Sequence, residues 1–264
     1  MFERAKYVAG VSALLDVGLA PATTGKQAAD LGTFDGNLCT VSSVNDSGAV
    51  VGSCRMAEGN FVTAYWAPGA APVRLPRLVE ERPCSITSLN NAGAAVGSCA
   101  FGHVGEAAGV RWRELPAHAP EQLEPGEGDV QSRARLLNER GVAAGSSRDA
   151  EGARHAVVWK WSSTKPTDLP ELDSTACTIA DMSDDDDPFI VGTCDRRHGG
   201  AVAVRWTPNG ASYDVAQLAL PPGTTRCWPV DVNTQHLAAG TYQMLDGSLE
   251  AVRWRANGTE VLPC

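Results

Sequence analysis

Polar and apolar positions in this chain alternate in short runs closed by Asn/Gly turns, and one such run sets the pattern for the rest. Thr40 to Val44 leans towards β structure, Asn45-Asp-Ser-Gly48 supplies residues that tolerate the dihedrals of a turn, and Ala49 to Cys54 resumes the β pattern. This predicts a β-hairpin. Cys39 and Cys54 stand equidistant from the turn, so an even-numbered loop sets them directly opposite on an antiparallel pair, within disulfide reach. A three-residue loop with a Gly bulge would shift the pairing by one and spoil that opposition.

The hairpin recurs four times. The copies run from Cys84 to Cys99 around Asn90, from Ser132 to Ser147 around Asn138, from Cys177 to Cys194 around Ser183 to Pro188, and from Cys227 onwards around Asn233 to His236. In the third copy both cysteines have become serine together, as a bonded pair predicts. In the fifth, Tyr242 stands opposite Cys227, and the one cysteine left over is Cys264. The predicted disulfides are therefore Cys39–Cys54, Cys84–Cys99, Cys177–Cys194 and Cys227–Cys264.

Each turn is followed after 21 to 23 residues by a tryptophan, at Trp66, Trp112, Trp159, Trp206 and Trp254, which closes a third β segment. A fourth, Leu-containing segment follows at Val73 to Leu75, Glu121 to Leu123, Thr167 to Leu169, Val215 to Leu218 and Glu260 to Leu262. Four strands recurring about every 45 to 50 residues read as a propeller blade. The expected fold is all-β, a five-bladed β-propeller with blades at about 33–78, 79–124, 125–172, 173–219 and 220–264. Gln27 to Gly32 reads as a further copy of the fourth strand, placed ahead of the first hairpin, where it can pair with the last blade and close the ring. The alternative is a six-bladed ring with residues 1–34 as a degenerate blade.

With the hairpins, the Asn-x-x-Gly turns, His155-Ala-Val-Val-Trp159 and the Asp-Leu strand in place, residues 30 to 264 resemble the bacterial HAF family of extracellular repeats. That unit looks like His-Ala-Phe-x-Trp, Asp-Leu-Gly and an Ile-Asn-x-x-Gly-x-Val-Gly hairpin; here His occurs at His155 alone of the five positions, and Phe at none. The resemblance implies export and a propeller-like fold, and brings no catalytic residues with it.

Charge and cysteine usage narrow the setting. A 264-residue chain of net charge −9 and pI near 5.0 lacks the clustered Lys and Arg, interleaved with aromatics, of a nucleic-acid surface. Cysteines paired across strands imply an oxidising compartment, periplasmic or secreted. Residues 1–29 precede the repeats; Arg4, Lys6 and the apolar run Tyr7 to Ala20 resemble a signal peptide, whereas Glu3 and Asp16 suit an N-terminal extension. No other run is long enough to span a bilayer.

The repeat tryptophans sit where strands alternate inward and outward, so their expected role is packing between blades. Trp161 and Trp228 lie off that position and are candidates for stacking on a ligand. Arg111, Arg205 and Arg253 each precede a repeat tryptophan, which gives them either a structural role or a place on a cationic surface for an anionic ligand. Asp181 and Asp231 occupy equivalent positions and are the candidates for a glycosidase pair. Asp184 to Asp187 read as a solvated acidic turn, since the run lacks the spacing of a calcium loop. His103, His118, His155, His198 and His236 share no metal-ligand spacing, so neither metal nor cofactor is expected. The function expected from these features is that of a monomeric, exported, non-enzymatic module binding a protein partner, as a periplasmic immunity-type inhibitor does. The alternative is a glycan-binding, lectin-like propeller, with a glycosidase third.

Overall fold

The computed structural model describes residues 30–35, 38–102, 105–172, 174–196, 200–255 and 258–261. Residues 1–29, read above as a signal peptide or extension, lie outside them, as does Cys264. The described residues fold into five consecutive four-stranded antiparallel repeats with no helix. The first repeat holds β1 (Leu38–Val44), β2 (Val50–Arg55), β3 (Phe61–Trp66) and β4 (Val73–Arg74). The second holds β5 (Cys84–Leu89), β6 (Ala95–Ala100), β7 (Ala107–Trp112) and β8 (Glu121–Leu123), and the third β9 (Gln131–Leu137), β10 (Ala143–Arg148), β11 (Arg154–Trp159) and β12 (Thr167–Asp168). The fourth holds β13 (Ser174–Met182), β14 (Ile190–Arg196), β15 (Ala201–Asn209) and β16 (Ser212–Gln217), and the fifth β17 (Thr224–Val232), β18 (Ala238–Met244), β19 (Leu249–Arg255) and β20 (Gly258–Val261). Strand order is sequential within each repeat, and one parallel step, Arg154 opposite Ala176, joins the third and fourth into one sheet. None of the sheets closes on itself.

The hairpins pair as expected at the cysteines, though by a different route. Next to the turn Val44 pairs with Val50 and Ser43 with Val51, one residue out of the register that an even-numbered loop gives; a bulge at Ser42 then restores it, with Val41 opposite Gly52 and Cys39 opposite Cys54. The same skip falls at Thr87, Arg135, Ala180 and Val230. The bulge drives the first strand's backbone onto the second strand, which explains an invariant glycine there. A Cβ on Gly52, Gly97 or Gly145 would lie 2.0 Å from the carbonyl oxygen of Thr40, Ser85 or Arg133, and Gly192 and Gly240 meet the same obstacle.

Hairpin tips hold themselves and one another. The Asn45 side-chain oxygen accepts from Ala49 N, closing its turn, while its amide donates to Asn90 O of the next repeat. Asn90 repeats both bonds, to Ala94 N and Asn138 O, and Asn138 does so towards Val142 N and Ser183 O. Beside this ladder runs a second, in which the Asp46, Asn91 and Glu139 amides donate to the side chains of Asn91, Glu139 and Asp184.

The tryptophans pack between repeats, as their position implied. Trp66, Trp112, Trp159, Trp206 and Trp254 are all buried. Each indole nitrogen donates to a carbonyl just past the fourth strand of the repeat before it: Pro76, Glu124, Pro170 and Ala219 for the last four. For Trp66 the acceptor is Gly32, which gives residues 30–32 the place of a preceding repeat's fourth strand.

The array has an open end. In the second repeat Ile86 and Leu89 are 2% and 7% exposed against the repeat before, whereas their counterparts Val41 and Val44 on β1 are 57% and 62% exposed. Leu31, counterpart of the buried Leu75, is likewise uncovered.

Three of the expected disulfides are present, Cys39–Cys54, Cys84–Cys99 and Cys177–Cys194, with Cα atoms 4.1, 3.9 and 4.1 Å apart. They indicate an oxidising environment. The fourth expectation, Cys227–Cys264, falls on a partner outside the described residues; Cys227 itself has a free thiol, buried with Tyr242 and Val252. No helix among the described residues is long and apolar enough to cross a membrane.

A candidate binding site between the third and fourth repeats

The first strands of successive repeats pack side by side, β1 on β5, β5 on β9 and β13 on β17, but β13 packs on β10 and β11. Where β9 and β13 part, a cavity of about 270 Å³ opens. It is lined by the hydroxyl-bearing Ser85, Thr87, Ser98, Ser146 and Thr178, by Arg133, Arg135 and Arg154, and by the apolar Leu136 and Ile179. The bulge contributes directly, since Thr87 and Arg135 are bulged residues whose side chains it turns out of the strand's regular alternation. Thr87 is held there by bonds to Val96 O and Ala134 O. A smaller cavity of about 70 Å³ shares Arg133, Ser146 and Arg154 with the first and adds Arg148.

The third repeat differs from its neighbours in ways that shape this site. At the two outward positions of the first strand it has Arg133 and Arg135, where the others have Thr40 and Ser42, Ser85 and Thr87, Thr178 and Ala180, or Trp228 and Val230. In place of the disulfide, Ser132 donates to Leu123 O and accepts from Gly109 N, and Ser147 donates to Gln131 O and accepts from Gly126 N. The Ser132 bonds tie the third repeat to β7 and β8 of the second, and the Ser147 bonds hold the third repeat to itself. No carboxylate pairs with Arg133, Arg135 or Arg154 among the described ion pairs. The nearby acids turn elsewhere: Asp129, Asp149 and Glu171 gather around His155 at 3.7, 4.0 and 3.3 Å.

The residues singled out from the sequence do not form one site. Arg111, expected on either a structural or a ligand-facing surface, is fully buried; it pairs with Glu121 and donates to Gly141, Lys160 and Ser163 carbonyls, tying the second repeat to the third. Trp161 lies beneath Arg111 and Arg113, whose guanidinium carbons stand 4.9 and 4.4 Å from its ring, so that face already carries cations. Arg205 lines a separate open cleft of about 460 Å³ with Asp185, Asp187, Phe189 and His236, where His236 stacks on Phe189 and bonds Asp185. Arg253 is half-buried on β19, across from Ala239 and Glu260. Trp228 stands exposed on β17, at the position equivalent to Arg133 and Thr178.

The acidic candidates are engaged in structure. Burial pushes the Asp181 carboxyl up to about 6, aided by a hydrogen bond with Asp231, while Val232 N donates to it at 2.9 Å. Glycosidase pairs flank a sugar bond with carboxylates about 5 to 9.5 Å apart and open to substrate, whereas the Asp181 carboxylate accepts from the backbone of the fifth repeat. In the acidic loop, Asp184 accepts from Glu139 N, Asp185 from Ser183 Oγ, and Asp187 pairs with Lys160 at 2.6 Å.

No protein-family model matches the chain, and no curated protein matches it. Among solved structures it is similar to a mutant of AofleA from Arthrobotrys oligospora, at 11% identity over 84% of this chain and 70% of that one, TM-score 0.45. A polysaccharide lyase of a new family, PL25 ulvan lyase, matches at 10% identity over 85% of this chain and 66% of that one, TM-score 0.47. Aleuria aurantia lectin, in complex with α-methyl-L-fucoside, matches at 10% identity over 85% and 76%, TM-score 0.40.

Proposed function

We propose that the chain is an exported, non-enzymatic glycan-binding module, a five-bladed propeller of HAF-type repeats acting in the periplasm or outside the cell. The observation that carries this reading is the cavity between the third and fourth repeats. Its hydroxyls and guanidinium groups sit on strands fixed by the inter-repeat bonds, so a ligand is met by a preorganised polar wall at little ordering cost. Its volume falls just below the usual small-molecule range of about 300 to 1,000 Å³, which suits the terminal sugar of a chain entering from the open side.

The test is affinity electrophoresis of the purified chain through gels carrying polysaccharides, neutral and acidic. Retardation in at least one gel, abolished by Thr87→Val with Thr178→Val in a variant of unchanged melting temperature, is the expected result. Free migration in every gel, with a stoichiometric protein partner recovered from the organism's envelope, would overturn this reading in favour of a protein-binding one.

A further inference from the structure

We infer that the glycan is anionic, and that Arg133 and Arg154, flanked by Arg135 and Arg148, read its carboxylate or sulfate groups; this rests on the glycan reading above. The chain carries a net charge of −9, so its charge is acidic on average. Against that background four arginines of one repeat line two adjoining cavities, and Arg133 and Arg154 belong to both. None of Arg133, Arg135 and Arg154 has a carboxylate partner among the described residues, although Asp129, Asp149 and Glu171 are near enough in the same repeat to gather around His155. Arg148 is exposed, and its Nε donates to Gly152 O.

Sequence position strengthens the argument. The repeats keep Ser, Thr, Ala or Val at the two outward positions of their first strand, except for Trp228 and for Arg133 and Arg135 of the third repeat. The bulge that places Arg135 is structural and common to all five repeats, so the third repeat has put a guanidinium on a side chain that is already turned out of the strand. Guanidinium groups bind carboxylate and sulfate through paired N–H donors, and the neighbouring hydroxyls of Ser85, Thr87, Ser146 and Thr178 suit the sugar's own hydroxyls. Arg135 lies at one end of the shared wall and Arg148 at the other, which fits a saccharide with charges on successive units.

Dextran, dextran sulfate and polygalacturonate test this together, because the first two share a backbone and differ in charge. Titration calorimetry of the full chain is expected to show binding to dextran sulfate or polygalacturonate, whichever anion is preferred, and at least about tenfold weaker binding to dextran. Arg133→Ala and Arg154→Ala should each weaken the acidic ligand at least about tenfold, with Arg133→Lys recovering only part because it keeps charge and loses the paired donors. Arg55→Ala, an exposed arginine on β2 of the first repeat and in neither cavity lining, should change nothing; far-UV circular dichroism and melting check that all variants fold. Equal binding of dextran and dextran sulfate, or losses as large for Arg55→Ala as for Arg133→Ala, would overturn the anionic inference and leave the glycan reading standing. No binding to any of the three, nor to the wider neutral and acidic panel, would sink the glycan reading itself.

Discussion

Cys39 faces Cys54 because two one-residue displacements cancel, one at the turn after Asn45 and one at the bulge on Ser42. The counterpart of this arrangement is Gly52, whose missing side chain makes room for the Thr40 carbonyl that the bulge pushes forward. Register, bulge and glycine are thus one device, repeated in all five repeats.

Gly52→Ala should therefore destabilise by at least about 2 kcal/mol, since the new methyl meets backbone and cannot be relieved by a rotamer change. Urea titration under oxidising conditions measures this. A loss below about 0.5 kcal/mol would mean that the bulge relaxes at little cost and does not dictate the glycine.

The ladder of turn asparagines gives an internal comparison. Asn90→Ala removes the bonds to Ala94 N and Asn138 O and should cost about 2 kcal/mol, whereas Asn233, exposed at the far end of the array, closes only its own turn through Leu237 N and Gln235 N and should cost about 1 kcal/mol. Equal costs would show that the fifth repeat is bonded to a neighbour in solution, closing the array.

Asp181 makes stability depend on pH. Its folded-state pKa, near 6, lies above the ordinary carboxylate value of 3.8, so its protonated form stabilises the fold fully below about pH 4 and that contribution is lost as pH rises through 6. Asp181→Asn, which keeps an acceptor for Val232 N, should raise stability at pH 7.5 by about 1 kcal/mol, after allowing for solvent screening of a half-exposed group, and by much less at pH 4.5. Melting curves of both proteins across that range decide it; a uniform offset at all pH values would rule out titration of Asp181 as the cause.

The cysteines should divide into two classes. Burial pushes the Cys227 thiol up to about 12, so an aromatic disulfide reagent should leave it unlabelled in the native protein and label it once urea unfolds the chain. Reductant should lower the melting temperature through the three hairpin disulfides, each contributing up to about 3 kcal/mol for a loop near 15 residues and less in a hairpin that is already local. Peptide mapping that recovered Cys227 joined to Cys264 would restore the pairing expected from the sequence.

Much of the architecture was legible because it rests on local, repeated rules. Turn chemistry at Asn45, Asn90 and Asn138, the fixed interval to each tryptophan, and the paired loss of cysteine at Ser132 and Ser147 gave the repeats, their strands and three disulfides from spacing alone. The pairing of Cys39 with Cys54 was reached through an even-numbered loop that the hairpin does not have, and it held because the bulge undid the turn's displacement.

The functional surface was a different matter. Arg111, Arg205 and Arg253 drew attention by recurring, yet recurrence marks what every repeat needs for its own packing, and Arg111 proved to be a buried strut. Arg133, Arg135 and Arg154 carry the opposite signal, a departure of one repeat from the other four, which marks what that repeat does beyond packing. The sequence by itself determined the all-β repeat, its turns and its disulfide-bonded hairpins, because these depend on residues a few positions apart. Only the tertiary structure decided that β9 and β13 part to open a cavity, that Arg135 is bulged into it, and that β1 is left uncovered, because each depends on how one repeat settles against another.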